Sequence, residues 1–334
     1  MISPAPVTAP AAGRADTRVT GKGPDWRAIT KALLPLVVLL MIVEVGIRII
    51  EPRLSLDILH IRRIPAIADS MREAESTRVL FLGNSLTRYG VNLDLIGSGL
   101  EELGASPTSL HAIYPDDTTV LDWLYLFEDA VVRADAAPEL LVIGFSHAHL
   151  TDAPVRPAQT YRLGRFFTAW QDVPRLFSHD VTDLDDRVSV IASKLSAAFA
   201  DRERLSSRFL DLLPGYRNSS RQINDVLGGK GVTPSGAAAT RFGRLERLAA
   251  VASEAGSRVV FVAMPTQEYY ELSPELIEAL SAARADLIDL REVDGLMREH
   301  FVDSLHMGSV GAELYSAALT AKLQPLVAEA ARTE

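Results

Sequence analysis

Short apolar runs of strand length, separated by segments with helical periodicity, constrain this chain more than any other feature. The runs are Val79 to Leu82, Leu140 to Ile143, Val259 to Met264 and Leu287 to Leu290, with a further short one from Ser109 to Ile113. A strand covered on both faces reads as a continuous apolar run, whereas a half-exposed strand alternates. Helical patterns lie between and after the runs, at Thr119 to Ala134, Thr240 to Ala255, Pro274 to Ala283 and Val310 to Arg332. Parallel strands need crossovers of that length, so the spacing predicts an α/β domain, a parallel sheet between two layers of helices. No internal repeat is visible.

The ends of these runs carry the chemistry. Arg78-Val79-Leu80-Phe81-Leu82 leads into Gly83-Asn84-Ser85-Leu86-Thr87, which places Ser85 on the turn at a strand's C-terminal end, where open α/β sheets hold their ligands. Near the C-terminus, Asp303-Ser304-Leu305-His306 sets a carboxylate three residues before an imidazole, so one turn can present both on one face. Asp303 would then hold one ring nitrogen of His306 while the other takes the proton of Ser85, the division of labour that acyl transfer needs.

These two motifs resemble those of the SGNH, or GDSL-like, hydrolase family, whose nucleophile block reads G-D-S-L and whose last block reads D-x-x-H. Asn84 stands where that family more often has aspartate, and Gly311 fits a turn into the final helix. The resemblance covers roughly residues 76 to 330 and implies a three-layer SGNH-hydrolase-like domain without a cofactor, with Ser85, Asp303 and His306 as catalytic residues. It also implies where the oxyanion would be held, and here the match deteriorates. The block that normally supplies a glycine N–H corresponds to His111 to Thr118, which contains no glycine, so an N–H of Asp116 or Asp117 has to serve. The block that normally supplies an asparagine amide corresponds to Gly144-Phe145-Ser146-His147-Ala148-His149. Ser146 stands at the asparagine and His147 at the aspartate. Losing one oxyanion donor typically costs about a hundredfold or more in rate, so Ser146, His147 or His149 has to compensate. The expected oxyanion groups are therefore Ser85, Asp117, Ser146 and His147, and the expected substrate-binding residues are Asn84, His149, Gln267 and Tyr269. The last two belong to Met264-Pro265-Thr266-Gln267-Glu268-Tyr269-Tyr270, a strand end that should border the same cleft.

His147, His149 and nearby Asp152 also invite a zinc reading, but a third ligand at recognisable spacing is missing, and the His-x-His is more simply part of the cleft wall. His60, His111, His179 and His300 have no partner pattern and read as surface or helix-end residues. A net charge of −9 with no basic patch interleaved with aromatics carries no nucleic-acid signature, and the absence of cysteine excludes disulfides and thiol catalysis.

Residues 1 to 30, rich in Ala, Pro, Gly, Thr and Arg, read as a disordered tail. From 31 to 50 the chain is apolar apart from Lys31, Glu44 and Arg48, about the length a bilayer-spanning helix requires. A cleaved signal peptide fits less well, because a long tail precedes the apolar run and no small-x-small site follows it closely. Arg14, Arg18, Lys22, Arg27 and Lys31 ahead of the span place the N-terminus inside the cell, although Arg53, Arg62 and Arg63 follow it. Residues 51 to 75 read as a linker to the domain at 76 to 334. From about 150 to 235 the α/β rhythm is interrupted by a helical insertion, with helical stretches at Val188 to Ala200 and Arg204 to Leu213, expected to cap or flank the cleft; Gly228-Gly229-Lys230-Gly231 reads as the flexible return to the core.

The expectation is a single-pass, membrane-anchored serine esterase or O-acyltransferase outside the cytoplasm, acting on acetyl or other acyl groups of an envelope or exported polysaccharide or of a small ester. A transferase would need a multi-span partner to export the acyl donor. The alternative is a non-catalytic polysaccharide-binding or assembly subunit that retains the fold.

Overall fold

The structure is a computed structural model that describes residues 26–211 and 241–332. Most of the N-terminal tail and the Gly228 to Gly231 stretch lie outside the described residues. The chain divides into two units, Met1–Val45 and Gly46–Glu334. In the first, helix α1 (Trp26–Ile50) begins, four residues before the expected end of the tail. The segment Leu33–Arg53, 21 residues with a mean hydropathy of 2.5, is long and apolar enough to cross a membrane.

The second unit is built on five parallel strands: β1 (Thr77–Leu82), β2 (Thr108–Ile113), β3 (Leu140–Phe145), β4 (Arg258–Ala263) and β5 (Asp286–Asp289), in the order β2-β1-β3-β4-β5. All five lie where the apolar runs place them. Side chains alternate across the sheet, as strand geometry requires. Leu80, Leu82, Leu141, Ile143 and Phe261 enter one core layer, while Val79, Phe81, Leu140, Val142 and Val260 enter the other. The second layer is closed by α4 (Leu93–Glu102), through Ile96 and Leu100, and by the helix Ser309–Ala330, through Tyr315, Leu319 and Leu323. Because the chain leaves β1 toward β2 and returns on the other side at β3, the switch point of the sheet lies between β1 and β3, and the turns after β1, β2 and β3 meet there.

Residues 51 to 75 are not a linker. Ser55 caps helix α2 (Leu56–Glu73), its Oγ accepting the Ile58 N–H at 3.1 Å. Ile58, Ile61, Ile64, Ala68 and Met71, spaced three or four residues apart, form one fully buried face. The polar edge of α2 is equally committed. His60 Nε2 accepts the Tyr114 N–H at 2.9 Å with the two rings stacked 4.2 Å apart, and Asp57 Oδ1 accepts the Asp116 N–H at 2.7 Å. The sequence reading missed this because an apolar stripe interrupted by His60, Arg62, Arg63 and Pro65 looks like a polar connector.

The described part of the insertion packs against the core. Leu163, Phe167, Leu176, Val181 and Val190 belong to the same buried cluster as Leu80 and Ile143. Asp180 accepts hydrogen bonds from Tyr125 Oη at 2.7 Å, Arg244 Nε at 2.9 Å and Arg247 Nη2 at 2.7 Å, tying the insertion to α5 (Val120–Leu126) and to the helix Gly243–Glu254. Its described α-helices run over Pro157–Arg162, Val173–His179, Leu184–Leu195, Ala197–Ala200 and Arg202–Asp211. The end of the last expected one, at Leu213, lies outside the described residues.

His60 gives this arrangement a pH signature. Burial and the neighbouring Arg88 push its pKa from 6.5 down to about 4. The unfolded chain therefore takes up a proton between those values while the folded chain does not, and stability present above pH 6.5 is lost as pH falls. Urea unfolding should show the wild type losing its advantage over His60→Gln between pH 6.5 and 4; an advantage that does not change with pH would contradict a buried neutral imidazole.

Candidate active site

The first turn after β1 is dictated by close packing. A Cβ on Gly83 would lie 1.9 Å from Thr87 Oγ1, so only glycine lets the chain turn there. Asn84 then caps α3 (Ser85–Gly90), its Oδ1 accepting the Leu86 N–H at 3.0 Å while its Nδ2 donates to the Thr118 carbonyl at 3.0 Å. Asn84 is 3% exposed, so it binds two turns together and sets the direction in which Ser85 leaves the strand. As the first residue of α3, Ser85 also has a main-chain N–H without an intrahelical acceptor.

The C-terminal motif is an equally constrained loop. Phe301 and Met307 form an antiparallel bridge, and the Val302 N–H donates to the His306 carbonyl at 2.8 Å. Inside this loop Asp303 Oδ1 accepts the N–H groups of Leu305 and His306, both at 2.8 Å, and Asp303 Oδ2 lies 2.8 Å from His306 Nδ1. Burial pushes the Asp303 carboxyl up, but these three hydrogen bonds outweigh it and hold the pKa below its ordinary value. The carboxylate thereby assigns the proton to Nδ1 and leaves Nε2 as an acceptor. His306 Nε2 stands 2.8 Å from Ser85 Oγ, across 221 residues of sequence. Tyr89, one helical turn after Ser85, meets the His306 ring edge-on at 5.1 Å.

The Ser85 hydroxyl, the His306 imidazole and the Asp303 carboxylate thus sit in order at the switch point of a 2-1-3-4-5 parallel sheet. The domain has an SGNH-hydrolase-like fold.

No protein-family model matches the chain, and no curated protein matches it. Among solved structures, it is similar to a lipase/acylhydrolase from Enterococcus faecalis, at 13% identity over 75% of this chain and 96% of that one, with a TM-score of 0.38. It is also similar to a GDSL-like lipase from Bacteroides thetaiotaomicron (12% identity, 80% and 98% coverage, TM-score 0.39) and an acetylxylan esterase from Geobacillus stearothermophilus (13%, 76% and 96%, TM-score 0.35).

A cleft of about 620 Å³ opens over Ser85, within the range of small-molecule sites. Asn84, Ser85, Asp117, His149, Asp303 and His306 line it, together with Tyr89, Asp116, Thr118, Thr119, Arg156, Val302 and Leu305. Four expected residues are placed elsewhere. Ser146 is 1% exposed, and its Oγ is buried away from the cleft with no hydrogen bond among the described residues. His147 lies outside the cleft lining, its ring stacked on Tyr270 at 4.6 Å. Tyr269 is exposed beneath the Arg291 guanidinium, 4.8 Å from its ring centre. Gln267 donates its main-chain N–H to the Ser304 carbonyl at 3.0 Å, so it braces the Asp303 loop from behind. Nor do His147, His149 and Asp152 converge on a metal position: the Asp152 carboxylate accepts the N–H groups of Gly243 and Arg244 at 2.9 and 3.0 Å.

The loop after β2 forms the opposite wall. Asp57 takes the Asp116 N–H, and the next residue, Asp117, lines the cleft with a φ of 54°, the left-handed conformation a glycine would adopt more readily. Arg156 clamps this residue through its Oδ1 at 2.8 Å and its carbonyl at 3.0 Å. Sequence reasoning passed over Tyr89, for which its spacing from Ser85 on one helix was the only signal.

Replacing Asn84 with alanine removes the cap of α3 and the tie to Thr118. Chemical unfolding should show a loss of about 0.5–2 kcal/mol; an unchanged midpoint would mean that the turn after β1 is held by Gly83 packing alone.

Proposed function

We propose that this protein is a serine ester hydrolase. The observation that carries the reading is the continuous hydrogen-bonded line from Ser85 Oγ through His306 to Asp303 Oδ2, exposed at one end to a cleft. Ser85 Oγ attacks the acyl carbonyl carbon as its proton passes to His306 Nε2. The tetrahedral intermediate collapses, the ester C–O bond breaks, and His306 returns the proton to the departing alkoxide. Water repeats the sequence with His306 as base, releasing the acid and Ser85. Asp303 holds the ring and stabilises the imidazolium formed in each half.

The finer reading is an esterase or O-acyltransferase for acetyl groups on an envelope or exported polysaccharide. Tyr89, Val302 and Leu305 give one side of the cleft an exposed apolar rim suited to a short acyl group, and Asp116, Asp117, Thr119 and Arg156 give the other side polar groups suited to sugar hydroxyls. Transfer in place of hydrolysis would require an acceptor hydroxyl held against the acyl-enzyme at high effective molarity. The apolar segment ahead of the domain would anchor it in the membrane, and the basic residues before that segment favour an extracytoplasmic domain.

With p-nitrophenyl acetate as substrate, Ser85→Ala and His306→Ala should each lower kcat by about 10⁵-fold or more and Asp303→Asn by about 10⁴-fold, with losses that do not add in combination. Wild-type rates from a folded Ser85→Ala protein would refute the nucleophile. For the location, protease added to intact spheroplasts should remove a C-terminal tag; a fully protected tag would refute the extracytoplasmic placement.

A further inference from the structure

Ester hydrolysis develops a negative charge on the carbonyl oxygen that hydrogen-bond donors aimed at it stabilise, and the block after β3, from which the family resemblance implies a side-chain donor, contains neither asparagine nor glutamine. Of its three polar candidates the structure removes two. Ser146 Oγ is sealed inside the protein, and His147 is stacked on Tyr270 outside the cleft. His149 remains, and it lines the same cleft as Ser85.

The surroundings of its ring define which nitrogen carries the proton. Nδ1 receives the Ser146 main-chain N–H at 3.2 Å, and the Asn84 Nδ2 amide, fixed by its bond to the Thr118 carbonyl, approaches the same nitrogen at 3.4 Å. Two groups that can only donate leave Nδ1 the acceptor, so the neutral ring must carry its hydrogen on Nε2. No described residue accepts a hydrogen bond from that Nε2–H. The ring plane is held edge-to-face against the fully buried Trp123, at 6.3 Å and 77°, whose own Nε1 donates to the Gly83 carbonyl at 3.0 Å. One framework thus orients both the nucleophile turn and this imidazole. Burial pushes the His149 pKa down to about 4, so the ring stays neutral at physiological pH.

Resting on the hydrolase reading, we propose that the Nε2–H of His149 is the side-chain oxyanion donor of this enzyme, acting beside the main-chain N–H groups of Ser85 and Asp117. It is a catalytic residue that gives a hydrogen bond and exchanges no proton. The neighbouring amide of Asn84, in direct contact with the ring, sets its tautomer and so acts as a positioning residue.

The test uses the full chain in detergent with p-nitrophenyl acetate, comparing the wild type with His149→Phe, His149→Gln and Ser85→Ala. His149→Phe keeps an aromatic ring and removes the donor, and kcat should fall about 10²–10³-fold with KM changed less than about threefold. His149→Gln, which restores an amide N–H, should recover at least about tenfold of that loss. If His149→Phe stays within about threefold of wild type while Ser85→Ala is inactive, the hydrolase reading stands and His149 is not the donor. If Ser85→Ala is as active as wild type, the hydrolase reading fails and this inference with it.

A measurement on the wild type covers a variant that does not fold. With ¹⁵N-histidine labelling, the seven histidines can be followed before and after Ser85 is phosphorylated by diethyl p-nitrophenyl phosphate, whose phosphoryl oxygen takes the oxyanion position. The His149 Nε2–H resonance should move downfield by about 1 ppm or more as it gains an acceptor. A His149 ring protonated on Nδ1, or an Nε2–H unmoved by adduct formation, would overturn the proposal.

Discussion

Asp57 is a carboxylate buried on a helix outside the sheet, and the shape of the cleft depends on what it holds. Its Oδ1 takes the Asp116 N–H, and the guanidinium groups of Arg88, Arg162 and Arg204 lie within 3.8, 3.3 and 3.5 Å of it. A carboxylate taken out of water is costly unless hydrogen bonds and opposite charges replace its hydration. Here the replacements come from four elements: the loop after β2, α3 on the nucleophile side, and two helices of the insertion. Removing any one partner would leave the buried carboxylate partly uncompensated, so the site's walls are coupled through one buried charge. Arg88 extends the coupling by pairing with Asp116 at 2.8 Å and lying over the Tyr114 ring, and Arg162 by donating to the Asp116 carbonyl.

This coupling changes what the peripheral segments are for. Helix α2 and the insertion look dispensable beside a five-stranded core, yet between them they position the loop that carries the Asp117 N–H. Arg156, from the insertion, fixes the left-handed backbone of Asp117, and His60 and Asp57, from α2, hold the residues before it. The loop is nevertheless held in place, because His60 and Asp57 of α2 and Arg156 of the insertion each form a hydrogen bond to its residues 114 to 117. The same holds on the other side, where Gln267 and the Phe301–Met307 bridge close the loop of Asp303 and His306.

A cleft residue need not lie where the spacing of a motif places it. The turn after β3 presents a histidine three residues beyond the position where an asparagine is expected, and the ring reaches the cleft because Leu150 is buried and Ser146 starts a 3₁₀ turn over His147–Leu150. In such a turn residues three apart lie one above another, so His149 folds back to Ser146 and its Nδ1 meets that residue's N–H. Position along the chain was a poor guide to position in the cleft here.

The sequence by itself determined the sheet, the two ends of the reactive line and the apolar N-terminal segment. Each of these is written in contiguous residues: strand runs such as Leu140 to Ile143 are apolar because both faces are covered, Asp303 and His306 are close because one turn joins them, and Ser85 follows directly from a strand. Tertiary structure alone decided the rest. Residues 56 to 73 became core because their buried stripe has a partner surface only once the sheet exists. His60 and Asp57 acquired their roles from main-chain N–H groups more than fifty residues away, and Ser146 and His147 lost theirs because the backbone turned their side chains out of the cleft. A side chain's residue type is local information, whereas the direction it faces and the group that meets it depend on contacts that exist only in the folded chain.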